Sequence, residues 1–190
     1  MNSIRARCTT GHLLLVAGML VFGSTYAQGT DNPAAGSDAM DLGAKVPDAK
    51  VVKEGLFPED SCKELEASGF RCMGVKPAIR FSLPASTFKL GSADLPELLK
   101  EQLDVFAEVL GSKRGTGRKV RIVGHADASG TAEGNQQLSL RRAEAVRSYL
   151  VQKGADPKML SVVGVGAAEP KNAADPLSGE NRRVEIGREK

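Results

Sequence analysis

From about residue 78 onward the sequence predicts an α/β fold, an α+β sandwich with elements in the order β-α-β-α-β-β. Three observations predict it. Short alternating or β-branched segments recur along the chain. Two longer segments between them carry apolar residues at the spacing of a helix. Loops rich in Gly, Pro and polar residues separate them. Aromatic residues make up only 4% of the chain and Trp is absent, so the core is a modest one.

Residues 78–83, Ala-Ile-Arg-Phe-Ser-Leu, alternate and stop at Pro84, as a strand does. Asp94 and Glu97 then bracket an early Pro96 in a capping-box pattern. Leu95, Leu98, Leu99, Leu103, Phe106, Val109 and Leu110 follow at helical spacing, and Gly111 marks the stop. Residues 113–117 form a loop and 119–123 a second strand. A polar loop spans 124–134. Asn135 is placed to cap a second helix, with Leu138, Ala145, Val146, Tyr149 and Leu150 inward and Gly154 at its end. Residues 159–165 are β-branched and strand-like, 167–179 form a long loop, and 183–186 alternate as a final strand. No internal repeat is present.

The N-terminal 77 residues follow other rules. Arg5 and Arg7 precede an apolar stretch at 13–22, which runs into small residues up to Thr25 and Ala27. This is the pattern of a secretory signal cleaved after Ala27. The stretch is too short for a spanning helix, which needs roughly 20 apolar residues. A lipoprotein signal needs a Cys just after the stretch, whereas Cys8 precedes it, so no lipid anchor is expected. Residues 28–50 are rich in Gly, Ala, Asp and Pro and read as a flexible linker. Residues 51–77 carry few periodic signals and read as an irregular, disulfide-clipped region. Once Cys8 leaves with the signal, Cys62 and Cys72 form an even pair in an exported chain. A structural bond is favoured over a redox pair, which takes the tighter Cys-x-x-Cys spacing. Closing this short loop contributes about 2–3 kcal/mol in the loop-entropy model.

The formal charge of +3 includes Arg5 and Arg7; without them 24 basic residues face 23 acidic ones. Overall charge therefore gives no reason to propose a nucleic-acid partner. The mature chain keeps one His, His125, which excludes the usual His-rich zinc sites; no metal or cofactor is expected. A Ser-His-Asp arrangement has no Gly-x-Ser-x-Gly elbow to accompany it, and no Gly-rich phosphate loop with a Lys is present. The chain reads as a binding protein and not as an enzyme.

Charge at the element ends is the unusual feature. Asp127 sits in a loop with Gly130 and Gly134, Arg141 and Arg142 lie two turns into the following helix, and Arg182 and Arg183 open the last strand. A carboxylate facing guanidinium groups from other elements suits a zwitterion, since Asp accepts from an ammonium and Arg forks onto a carboxylate. Spacing alone favours the alternative, an internal Asp–Arg salt bridge with solvated surface Arg.

Four motifs occur in order. They are Gly124-His125-Ala126-Asp127, the run from Asn135 through Leu138-Ser139 to Arg141-Arg142-Ala143, the run from Gly164 through Gly166 to Glu169-Pro170, and Asn181-Arg182-Arg183-Val184-Glu185. Together they resemble the C-terminal domain of the OmpA family over residues 78–190. Gly-His-Ala-Asp, with Ala126 for the commoner Thr, is like the branch of peptidoglycan-associated lipoproteins. The resemblance implies a mixed sheet with helices packed on one face. It also implies a protein that binds meso-diaminopimelate in the peptidoglycan stem peptide. Asp127 would grip the ammonium and Arg142 a carboxylate, Asn135 would cap the helix that orders the pocket loop, and Arg182 or Arg183 would line the rim. The implied location is the periplasm, at the wall and the outer membrane. A second reading is an envelope adaptor whose residues 51–77 bind a protein partner while the wall only localises it. A wall-remodelling enzyme would need a catalytic set this chain does not show.

Overall fold

The computed structural model describes residues 39–84, 88, 89 and 91–189. The signal, its cleavage point and the first part of the linker lie outside the described residues. The elements are β1 (Ala39–Asp41), α1 (Ala49–Leu56), α2 (Pro58–Ala67), β2 (Arg80–Pro84), α3 (Glu97–Gly111), β3 (Val120–His125), α4 (Ala132–Gln152), β4 (Leu160–Gly164) and β5 (Arg183–Arg188). Beyond residue 78 this is the strand–helix order expected from the sequence.

The five strands form one mixed sheet in the order β1-β2-β5-β3-β4. The β1/β2 and β3/β4 pairs are parallel, and β5 runs antiparallel between β2 and β3. Register places Phe81, Ile186 and Ile122 side by side, and Leu83 beside Val184. Strand alternation sends these side chains to one face. There they pack on Leu99, Leu103, Phe106 and Leu110 of α3 and on Ala143, Val146 and Leu150 of α4. The Phe81 and Phe106 rings meet edge to face, with centroids 5.3 Å apart. Two glycines set how close α4 comes. A Cβ on Gly124 would lie 2.0 Å from the Ser139 carbonyl oxygen, and one on Gly164 would lie 2.4 Å from the Leu140 nitrogen. The helix therefore rides directly on the backbones of β3 and β4.

The segment expected to be irregular is largely helical. Asp48 caps α1 by accepting from the Lys50 N–H at 2.7 Å. Val52, Leu56 and Phe57 are fully buried in the core. Gly55 reads as a breaker in sequence, yet it lets α1 press on Phe81, whose ring would lie 2.4 Å from a Cβ there. Helix α2 buries no residue, so it carries no hydrophobic period to read. It is held by charge: Asp60 pairs with Arg118 and Lys113, and Glu59 with Arg188. The guanidinium groups of Arg118 and Arg188 also lie over the Phe57 ring, at 4.9 and 5.8 Å. The expected Cys62–Cys72 bond is present, with the Cα atoms 5.4 Å apart.

The linker expectation is corrected at its C-terminal end. Strand β1 extends the sheet, the Leu42 N–H donates to the Ser82 carbonyl, and buried Gln102 donates to the carbonyls of Gly43 and Lys45. Two caps also differ. Asp94 does not cap α3; it accepts from the Ser92 hydroxyl, and Pro96 holds the N-cap place. Gly111 is the last helical residue and Ser112 the C-cap. Asn135 does not cap α4, which starts three residues earlier, with Thr131 accepting from the Gly134 N–H. No helix among the described residues is long and apolar enough to cross a membrane.

Candidate functional site

The site forms where β3 runs into α4. Asp127 follows β3 and is nearly buried. Its Oδ1 accepts from the backbone N–H and the hydroxyl of Ser129, at 3.1 and 2.5 Å. Its Oδ2 accepts from Arg182 at 2.6 Å. Burial is the largest influence on this carboxyl and raises its pKa, but the Ser129 and Arg182 donors outweigh it. The net pKa is below the ordinary Asp value, so the group stays ionised.

Asn135 lies in the first turns of α4, and its side-chain N–H donates to the Asp127 carbonyl at 2.9 Å. It ties the loop at Asp127 to α4 from inside the helix. One turn on, the Ser139 hydroxyl accepts from the Gly166 N–H and donates to the Gln136 carbonyl. The Gln136 side chain donates to the Gly164 carbonyl, and the Ala126 N–H to that of Gly166. The first half of α4 thus turns a polar face inward and fixes two loops around Asp127.

Arg142 lies on that same face and is 2% exposed. Its Nε donates to the Ser92 carbonyl at 3.0 Å, and its guanidinium lies 4.8 Å from the centroid of the Phe88 ring. Among the described residues no carboxylate is within ion-pair distance of it. Burial, followed by repulsion from Arg182, lowers its pKa, with Asp127 acting in the opposite sense. Arg141 beside it is exposed. Asp127 and Arg142 therefore do not brace each other directly; Arg182 is the brace.

Arg183 goes elsewhere. It donates to Glu185 at 2.8 Å and to the Glu169 carbonyl at 3.2 Å, on the sheet face away from the helices. His125 is buried nearby, its Nε2 3.7 Å from Glu185. Of the five ligand-contact residues expected from sequence, Asp127, Asn135, Arg142 and Arg182 come together and Arg183 does not. Ser129, Ser92 and Phe88 were missed. The first was legible as an Asp-x-Ser turn; the other two join the site only through the tertiary fold. No group of three or more potential metal ligands occurs among the described residues.

A model of the OmpA family matches residues 87–183, a span that holds Asp127, Asn135, Arg142 and Arg182 and just over half of the chain. The chain belongs to the OmpA family. This OmpA-family chain is 41% identical over 101 residues to the peptidoglycan-associated lipoprotein of Pseudomonas aeruginosa, covering 52% of itself and 58% of that protein. It is 37% identical over 101 residues to the protein of the same name from Pseudomonas putida, covering 52% and 59%. The match thus spans less than two thirds of either relative. Among solved structures, the periplasmic domain of Helicobacter pylori MotB is similar in fold. It has a TM-score of 0.50 at 22% identity, covering 57% of this chain and 74% of that one.

Proposed function

We propose that this OmpA-family chain binds peptidoglycan non-covalently in the periplasm, by gripping meso-diaminopimelate of the stem peptide between Asp127 and Arg142. The observation that carries the reading is the state of Arg142. A buried guanidinium is costly unless paired, and no carboxylate of the described residues pairs with it. It is planar and forked, which suits a carboxylate ligand. At the other end, Asp127 offers an ionised carboxylate with about four acceptor positions, of which three are used by Ser129 and Arg182. The remaining position takes one N–H of an ammonium. A ligand carrying both an ammonium and a carboxylate satisfies both ends at once. The relatives above, named as peptidoglycan-associated lipoproteins, support the wall as the source of that ligand.

The role is binding, not catalysis. His125, the one His beyond residue 27, is buried against Glu185 and Arg183, and its pKa is lowered to about 4. Holding the ligand requires no bond to be broken.

Retention on purified sacculi tests the reading. Asp127→Ala and Arg142→Ala each leave the other desolvated charge unpaired in the complex, which costs about 2–5 kcal/mol of binding. Both variants are expected to be folded and to wash off the wall. Arg142→Lys recovers little, because an ammonium lacks the fork. Exposed Arg141→Ala binds like the parent. A folded Asp127→Ala protein retained at parental affinity would overturn the proposal.

A further inference from the structure

Half of the exposed large apolar side chains among the described residues fall in one short span. Leu65, Phe70, Met73 and Val75 fall within the span 65–75, with Phe70 66% and Met73 95% exposed. None of them belongs to the core or to the site around Asp127. Their exposure is held by the backbone. Helix α2 ends in a Schellman motif, in which the Phe70 N–H donates to the Leu65 carbonyl, the Gly69 N–H donates to that of Glu66, and Gly69 has φ +83°. This cap sets Phe70 beside Leu65 at the helix end. The Cys62–Cys72 bond then ties the following turn back to α2. In the turn that follows α2, between Ala67 and Ile79, the charged residues are the exposed Arg71 and Lys76, while exposed Glu66 lies on the helix next to Leu65.

We infer that residues 65–76 form a membrane-docking tip, which seats Leu65, Phe70, Met73 and Val75 at the headgroup–acyl boundary of an anionic phospholipid bilayer. Arg71 and Lys76 would meet the lipid phosphates. Size favours a bilayer over a protein groove. A stable protein interface buries about 800 Å² on each partner, with 20–30 residues a side. A bilayer rewards each inserted side chain and each nearby cation separately, so a compact tip suffices. Pre-ordering by the cap and the disulfide lowers the entropy lost on docking. Such a tip binds weakly and reversibly by itself, which suits a chain held by a second contact. The inference is independent of the wall-binding reading.

Co-sedimentation of the exported full chain with vesicles of phosphatidylglycerol and phosphatidylethanolamine tests it, with phosphatidylcholine vesicles alongside. No wall material is present, so the outcome does not depend on the Asp127 site. The parent is expected to bind the anionic vesicles and to bind less as salt rises. Phe70→Ser with Met73→Ser, and separately Arg71→Gln with Lys76→Gln, should each lower partitioning about tenfold. Leu177→Ser, at an exposed apolar residue elsewhere, should leave it unchanged. These substitutions touch no core residue, so circular dichroism should show parental melting. No binding by the parent, equal binding to phosphatidylcholine, or equal binding by all variants would overturn the inference. So would tip variants that keep vesicle binding but lose a cross-link to an envelope protein; that result would make the tip a protein contact.

Discussion

At the scale of single residues the two charges of the site are not equally provided for. Asp127 has three donors, one of them the Arg182 guanidinium, whereas Arg142 has a carbonyl, an aromatic face and a like-charged neighbour in Arg182. The unliganded protein therefore carries its electrostatic cost at Arg142. Replacing it with an apolar side chain of similar length removes a desolvated charge without orphaning a carboxylate. Arg142→Met is expected to melt at or above the parental temperature while losing sacculus retention; a drop of several degrees would mean that Arg142 is a structural brace. His125 gives a separate, pH-dependent expectation. Burial and repulsion from Arg183 keep it neutral, with its pKa lowered to about 4. Between pH 6.5 and 4 the unfolded chain binds a proton that the folded chain refuses, so stability rises with pH through that window and levels off above it. The slope approaches 1 kcal/mol per pH unit. Denaturant melts of the exported chain at pH 4.5, 5.5 and 7.5 should show the loss, and His125→Gln should flatten it. A parental slope in that variant would assign the effect to another group.

At the scale of elements, α4 explains what was legible and what was not. Its C-terminal half buries Ala143, Val146 and Leu150, and the apolar period announces it. Its N-terminal half buries Asn135, Ser139 and Arg142, so hydrophobic periodicity fails there and Leu138, expected inside, is only half-buried. Those same polar residues carried the motif resemblance, which is why the site was more readable than the helix that builds it. Asn135 looked like a cap because Asn is a favoured N-cap residue ahead of an apolar run. Thr131 won the position because a helix start three residues earlier points Asn135 at the Asp127 carbonyl. Arg182 and Arg183 could not be told apart in sequence, since neighbours on an extended chain point to opposite sides and only the sheet says which side holds the site. The contact of α4 with β3 and β4 also makes a sharp expectation. Gly164→Ala puts a methyl into the Leu140 backbone, which cannot move without lifting the helix. The variant should lose several kcal/mol, read as a much lower denaturation midpoint, together with sacculus binding, because Gln136 and Ser139 would lose their partners on the neighbouring loop. Near-parental stability would show that the helix has room to give.

At the scale of the whole molecule, the folded unit begins earlier than its motifs do. The family match starts at residue 87, and periodic patterning starts near 78, but the core does not respect either boundary. Val52, Leu56 and Phe57 are fully buried against Phe81 and α3, and β1 extends the sheet beyond β2. These contributions were hard to read because they are brief. An eight-residue helix with a glycine in it, a charge-held helix with no buried face and a three-residue strand carry little periodic signal. They are not small in energy. Truncating one buried Leu or Phe to Ala costs about 2–5 kcal/mol, and whole domains are stable by only about 5–15 kcal/mol. A fragment of residues 78–190 would lose three such side chains at once. It would also lose the Asp60 and Glu59 partners of Arg118 and Arg188, and would uncover Phe81. That fragment is therefore expected to be expanded or unfolded at 37 °C despite holding every motif, whereas a fragment of residues 39–190 should melt like the exported protein. Circular dichroism and sacculus retention of the two fragments side by side decide the matter. If 78–190 melts cooperatively near the parental temperature, α1 is an appendage; if it is unfolded while 39–190 binds the wall, α1 belongs to the folding unit of the binding domain.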